Sequence, residues 1–300
     1  VVPLPFFINI TCKSGLNHYL CFGQTNKTNM KNIVSYGGGT QSTALILMAL
    51  NGDYGLQRPD FGVYADTGGE PEFIDNYVRW FINYIKQHYD FDIYITKNKT
   101  GLYNLWYEPE KISEDGRKYT QSLPPFFVLN PDRSKSMIRK RQCTEDYKVK
   151  PFNKLVNSII GREPYVKWFG ISFDERSRMK ISTTKRITYY YPLVEKYINR
   201  VDSINYIHKL GIREPQRSSC FFCPYHSDRY WQWLKDFHPT IFHDAVDFEN
   251  VVRARSKHYL RGEIFLHRSC KPLDQIQFTD KDQLNMFPEL IDECGGECGI

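Results

Sequence analysis

Apolar and polar positions along the first two thirds of the chain alternate in blocks that read strand, loop, helix. Ile33 and Val34 lead into Ser35-Tyr36-Gly37-Gly38-Gly39-Thr40-Gln41-Ser42-Thr43, and the run Ala44-Leu45-Ile46-Leu47-Met48-Ala49-Leu50 follows. Phe61-Gly62-Val63-Tyr64-Ala65 predicts a second strand, ending at Asp66-Thr67-Gly68-Gly69. Pro71 then opens a helix whose apolar residues Phe73, Ile74, Tyr77, Val78, Phe81, Ile82 and Ile85 recur every three or four positions. Phe91–Ile95 and Tyr165–Ile171 predict a third and a fourth strand, with a helical pattern from Lys150 to Ile160 between them. This alternation predicts an α/β fold: a doubly wound, mostly parallel sheet covered by helices on both faces. In such sheets ligands lie at the carboxyl ends of the strands, so Ser35–Ser42, Asp66–Gly69 and Ile171–Arg178 are expected to converge on one crevice.

From Gly211 onward Pro, Cys and Trp become frequent, and helical patterns appear at Asp228–Phe237 and Ile241–Ser256. The pattern divides the chain into an α/β domain over residues 30–210 and a C-terminal helical, cysteine-bearing subdomain over 211–300. Thr100–Ser136, with Pro109, Gly116, Pro124, Pro125 and Pro131, reads as a long irregular insertion. Residues 1–29 contain no acidic residue and no clear periodicity, so they are expected to be an extension preceding a native start at Met30.

Three hundred residues suffice for this arrangement, and 41% hydrophobic with 15% aromatic content argues against disorder. A net charge of +6 suits an anionic ligand without the dense basic character of a dedicated nucleic-acid module. No apolar run approaches the roughly eighteen residues of a membrane helix, so a cytoplasmic protein with no membrane partner is expected. Eight cysteines are too few for a disulfide scaffold at this length, and their C-terminal clustering suggests thiol or metal chemistry in a reducing compartment.

Three consecutive glycines before a helix let backbone N–H groups approach an anion, and phosphate is the expected guest. The spacing is neither the Walker pattern nor Gly-x-Gly-x-x-Gly but Ser-x-Gly-Gly-x-x-x-Ser, making Ser35, Gly37, Gly38, Gly39, Thr40, Gln41 and Ser42 candidate nucleotide contacts. A plain glycine turn, with Ser42 capping the helix, is the competing reading. Asp66 could orient a ribose, a base or a magnesium ion, or its Asp-Thr-Gly turn could merely cap the next helix. Arg178, in the run Asp174-Glu175-Arg176-Ser177-Arg178, suits phosphate or sulfate through its forked donors, against the alternative of a solvated charged loop.

Arg133, Lys135, Arg139, Lys140, Arg141, Lys148 and Lys150 surround Cys143, which is therefore expected as a thiolate. Cys220-Phe221-Phe222-Cys223-Pro224 is a two-residue-spaced pair. With Cys143 and one of Cys270, Cys294 or Cys298 it could close a tetrahedral thiolate site for zinc or an iron–sulfur cluster, with His226 as a further zinc ligand. Buried reduced cysteines without metal are the alternative.

Taken together, these residues resemble the PP-loop superfamily of adenine-nucleotide α-hydrolases, in particular the phosphoadenosine phosphosulfate reductase family, from Lys31 to the C-terminus. Ser35–Ser42 is similar to its phosphate loop, Asp66-Thr67-Gly68 to its second-strand Asp-Thr-Gly, and Gly170-Ile171 through Arg178 to its Gly-x-Arg region beside the nucleotide. Arg141-Gln142-Cys143-Thr144 with Cys220-x-x-Cys223 resembles the cysteine arrangement that carries a 4Fe-4S cluster in some members, and Glu297-Cys298-Gly299-Ile300 the segment whose cysteine attacks the sulfonate. The resemblance implies a HUP-like fold, an adenine nucleotide (ATP or a sulfated adenosine nucleotide), and a cluster or zinc held by Cys143, Cys220, Cys223 and Cys298. It further implies catalytic roles for Asp66, Arg178 and Cys298, although Cys298 cannot both ligate a cluster and attack sulfur.

The reductase version passes its thiosulfonate to a thioredoxin-like partner. A second version splits ATP with magnesium to adenylate a nucleobase or other acceptor for thiolation or a related modification, and a third is a non-catalytic nucleotide- or nucleic-acid-binding subunit. ATP-cleaving members usually carry Asp where this chain has Gln41, which favours the reductase.

Overall fold

The computed structural model describes residues 30–278 apart from 110, 113, 115, 117, 120, 121, 139, 258 and 259. By backbone proximity the chain divides between Met30 and Lys31, and the unit beginning at Lys31 is the one described below. Its principal elements are β1 (Lys31–Tyr36), α1 (Thr40–Asn51), β2 (Phe61–Asp66), α2 (Glu72–Tyr89), β3 (Ile93–Lys97), β4 (Phe127–Leu129), β5 (Lys135–Met137), α3 (Lys150–Ile160), β6 (Tyr165–Phe169), β7 (Ile187–Tyr190), α4 (Arg200–Lys209), α5 (Asp228–Phe237), α6 (Pro239–Ser256) and β8 (Glu263–Phe265).

β1, β2, β3, β6 and β7 form a five-stranded sheet, entirely parallel, in the order β3-β2-β1-β6-β7. Apolar faces on both sides of β1 explain the doubly covered sheet. Ile33 joins Phe152 and Val156 of α3 on one face, whereas Tyr36 meets Phe81 of α2 on the other and lies 3.4 Å, hydroxyl to hydroxyl, from Thr43 of α1. α1 is buried from Thr40 to Ala49 because the sheet and α4 enclose it.

The sequence pattern places α2, α3, α5 and most of α6 well, since each carries an apolar stripe facing a core. It does not reveal β7, a four-residue edge strand of half-buried residues. Nor does it reveal α4, which buries Arg200 and Ser203 beside Tyr206 and Ile207 and so shows little hydrophobic periodicity. α4 instead starts at a capping box: Asn199 Oδ1 accepts from Asp202 N at 2.9 Å, and Asp202 Oδ2 accepts from Asn199 N at 2.9 Å.

The expected irregular insertion contains strands. β4 pairs antiparallel with both β5 and β8, which ties it to the C-terminal helices. Trp106, Phe126, Phe222, Trp231, Phe242 and Phe248 share one hydrophobic cluster there. Trp231 and Phe242 are thus core, as their helical spacing suggests, while Phe237 is exposed.

Glu249 anchors this second core. Its Oε1 accepts from Leu266 N at 2.8 Å and its Oε2 from Leu273 N at 2.7 Å. No helix among the described residues is long and apolar enough to cross a membrane.

Lys167 lies inside β6, 4% exposed, with Nζ 3.7 Å from the Phe152 ring centroid and 5.1 Å from that of Phe169. Burial pushes its pKa down to about 7, against an opposing pull from Glu145. Between that value and the ordinary lysine value of 10.5 the unfolded chain binds a proton that the native chain does not. Stability contributed by this site therefore rises with pH across the window, and below it the native state protonates as well. Lys167→Met is expected to stabilise the protein at pH 7 by about 3–4 kcal/mol and to flatten the rise in urea midpoint between pH 7 and 10. Parallel pH profiles of wild type and variant would contradict this account.

Candidate functional site

The switch in strand order falls between β1 and β6, which stay paired up to Ser35 and Phe169 at their carboxyl ends. The glycine loop leaves β1 at this point. Gly38 turns it with φ +75°, and a Cβ there would stand 2.8 Å from Val78 Cγ2 of α2. Gly39 is the N-cap of α1, extended at φ −101° and ψ 175°, with no side chain capping the helix. The first-turn N–H groups consequently face the cleft, where a helix favours an anion.

Ser42 braces the loop from within. Its Oγ accepts from Gly37 N at 3.3 Å and donates to the Gly39 carbonyl at 3.1 Å. From the far side, Ser218 Oγ donates to the Gly37 carbonyl at 2.6 Å, tying the segment before Cys220 onto the loop. Gly170, just after β6, closes the floor: a Cβ there would lie 2.6 Å from Ser42 Cα and 2.7 Å from Ser42 N.

The cleft is lined by Ser35, Gly37, Gly39, Thr40, Gln41, Ser42, Gly170, Ile171, Arg178, Arg200, Arg217, Ser218 and Ser219. Three arginines thus line one cleft from three separate segments, the Arg217 guanidinium also lying 5.5 Å from the Tyr230 ring centroid. Arg178 is held by Glu175, whose Oε2 is 2.6 Å from Arg178 Nη1, both side chains being largely buried. Burial pushes the Glu175 carboxyl up and Arg178 opposes that shift. Arg200 is the first residue of α4, and its backbone N donates to Asp174 Oδ1 at 3.1 Å.

Of the residues singled out from the sequence, Ser35, Gly37, Gly39, Thr40, Gln41, Ser42, Gly170 and Arg178 line this cleft. Gly38 shapes the loop from behind. Asp66 is not among the lining residues; its Oδ1 accepts from Gly68 N at 2.8 Å within its own turn, and α2 starts after Pro71 with no side-chain cap. Arg200 and Arg217 went unrecognised. The Asn199-x-x-Asp202 signature of a helix start, and the position of Arg217 three residues before Cys220, were the available signals.

The cysteines sit behind the cleft. Cys220 Sγ is 3.4 Å from Thr67 Oγ1, which donates to Glu70 Oε2 at 2.5 Å, and Phe221 N donates to the Gly69 carbonyl. Burial pushes the Cys220 thiol well up, reinforced by Glu70 and by Cys143, while Lys148 opposes. Cys143 corrects an expectation. Burial raises its pKa despite Lys148 and Arg141, so the neutral thiol and not the thiolate is favoured.

His226 Nε2 donates to the Cys220 carbonyl at 2.8 Å, its ring stacks on Tyr230 at 4.0 Å, and its Nδ1 is buried without a hydrogen-bond partner. Cys270 is buried in the turn after β8, its N–H bonded to the His267 carbonyl. Among the described residues no group of three or more His, Cys, Asp or Glu is placed to hold a metal ion, and the expected set of Cys143, Cys220 and Cys223 draws its fourth ligand, Cys298, from outside them. Cys294 and Cys298 lie outside the described residues.

No family model matches the chain. Over 160 residues it is 26% identical to the uncharacterized nin region protein ORF290 of Escherichia phage lambda, a stretch covering 50% of this chain and 51% of that protein. The chain thus spans about half the length of the curated relative it matches.

Gly170→Ala is expected to force α1 away from β6, because the intruding methyl meets helix backbone and not a movable side-chain tip. A loss of about 1–3 kcal/mol is expected in thermal or urea melts. Gly39→Ala serves as the steric control, since its Cβ would meet nothing closer than Ser218 Cβ at 3.9 Å. Equal stability of the two variants would show that the Gly170 contact is not tight.

Proposed function

We propose that this chain is a PP-loop enzyme of the phosphoadenosine phosphosulfate reductase type, its sheet HUP-like, binding a sulfated adenine nucleotide in the cleft. The observation that supports this reading is that Arg178, Arg200 and Arg217 line one cleft with the first turn of α1, in a lining that holds no carboxylate among the described residues. Such a lining matches a ligand whose several negative charges are met by guanidiniums and helix amides, while the neighbouring Glu175 is engaged by Arg178. Gln41, where ATP-cleaving relatives of the resemblance carry Asp, points the same way.

In this reading the loop amides and arginines fix the phosphosulfate and stabilise the charge that develops on the departing phosphate. The resemblance assigns the attack to Cys298. Its thiolate forms a bond to sulfur as the sulfur–oxygen bond to phosphate breaks, and the nucleotide leaves with the electron pair. A thioredoxin-like dithiol then displaces sulfite from the enzyme thiosulfonate and is itself oxidised to a disulfide. No step is drawn through a metal or cluster.

Equilibrium binding should rank sulfated adenosine nucleotides above ATP, and sulfite should appear when reduced thioredoxin is added. Arg217→Ala is expected to weaken nucleotide binding about 10- to 100-fold with little change in melting temperature, the loss of a charge-assisted contact. Release of AMP and pyrophosphate from ATP would instead establish the adenylating chemistry. Failure to bind either nucleotide would refute the reading.

A further inference from the structure

The segment from Arg217 to Ser219 brings two neighbouring hydroxyls to the cleft, and the fold treats them differently. Ser218 Oγ is committed to the Gly37 carbonyl at 2.6 Å. Ser219 also lines the cleft and is only 7% exposed, yet its Oγ has no hydrogen-bond partner among the described residues. A buried hydroxyl without a partner gives up its hydration and gains nothing in return, so folded chains keep few of them. One that lines a cleft is satisfied at no cost to the fold when a ligand brings the missing acceptor.

Next to Ser219 stands Tyr230, which is fixed from several sides. Its backbone N donates at 3.1 Å to the hydroxyl of Ser227, the N-cap of α5. Its ring stacks on His226 with centroids 4.0 Å apart, and His226 is itself tied to the Cys220 carbonyl. The Tyr230 hydroxyl is buried and, like that of Ser219, lacks a hydrogen-bond partner among the described residues. Burial pushes this phenol up to about 12, with Arg217 and Ser219 opposing the shift, so the proton stays on at neutral pH and the two hydroxyls are near enough to act on each other. If the phenol donates to Ser219 Oγ, the serine proton is left for a third group. Three arginines and no carboxylate line the cleft among the described residues, so an anionic oxygen and not a cation suits that place.

We propose that Ser219 is a ligand-contacting residue of the cleft, its hydroxyl donating to a tetrahedral oxyanion, phosphate or sulfonate, and that Tyr230 is the positioning residue, donating to Ser219 Oγ. The proposal rests on the nucleotide reading of the cleft. Calorimetric titration of the full chain with a sulfated adenosine nucleotide, and with the same nucleotide lacking its sulfonate, tests it. Ser219→Ala should weaken binding roughly 5- to 50-fold, while the melting temperature of the ligand-free protein stays the same or rises because an unsatisfied hydroxyl is gone. Tyr230→Phe should weaken binding roughly 2- to 10-fold in the wild-type background and not at all beside Ser219→Ala, a coupling that a merely structural tyrosine would not show. Loss with both nucleotides assigns the contact to phosphate, and loss confined to the sulfated one assigns it to sulfonate. Unchanged binding by Ser219→Ala, a fall in ligand-free melting temperature alongside weaker binding, or additive effects of the two substitutions would overturn the proposal and leave the cleft reading standing. Failure of wild type to bind either nucleotide would overturn both.

Discussion

The contact between Gly170 and the first turn of α1 is the constraint on which the rest of the site depends. A helix can present its N-terminal amides at the point where a parallel sheet reverses strand order only if it stands close to the end of the strand beyond. Here that approach places Ser42 backbone where any side chain at position 170 would be. Once α1 is seated there, the glycine loop must turn sharply back to β1, and Gly38 adopts its positive φ against Val78. Ser42 and Ser218 then fix the loop carbonyls, and the first turn of the helix lines the cleft.

Around that seat the protein gathers positive charge from distant parts of the chain. Arg178 comes with the loop after β6, Arg200 with the capping box of α4, and Arg217 with the strap that leads to Cys220. The Glu175 pairing matters because a long guanidinium side chain loses much rotamer freedom when it is fixed, and a mostly buried carboxylate 2.6 Å away fixes it before any ligand arrives. The strap also makes the cleft and the thiol region mechanically one: Ser218 and Ser219 line the cleft, and Cys220, the next residue, packs against Thr67 and Gly69 of the β2 loop.

The thiols show how burial competes with charge. Cys143 lies in the densest basic segment of the sequence, which favours a thiolate, yet desolvation outweighs Lys148 and Arg141 and keeps the proton on. Charge counts along a sequence do not contain the depth at which a side chain is set. Lys167 makes the same point with the opposite sign, since a lysine within an apolar strand is unremarkable in sequence and becomes a strained base only when Phe152 and Phe169 cover it.

The sequence by itself determined the elements with strong local signals: the strand-loop-helix at Ser35–Ser42, the amphipathic α2 and α3, and α5 and α6 with Trp231 and Phe242 inward. These are legible because a 3.6-residue stripe or a glycine turn is written in neighbouring residues. Tertiary structure alone decided that β7 joins the sheet edge, that β4 pairs with β8 across more than a hundred residues, and that Asp66 turns to its own loop while Arg200 and Arg217 face the cleft. Each of those outcomes depends on which segments end up side by side and how deeply they are covered. Strand pairing and side-chain burial are properties of the packed chain, so no local pattern could encode them.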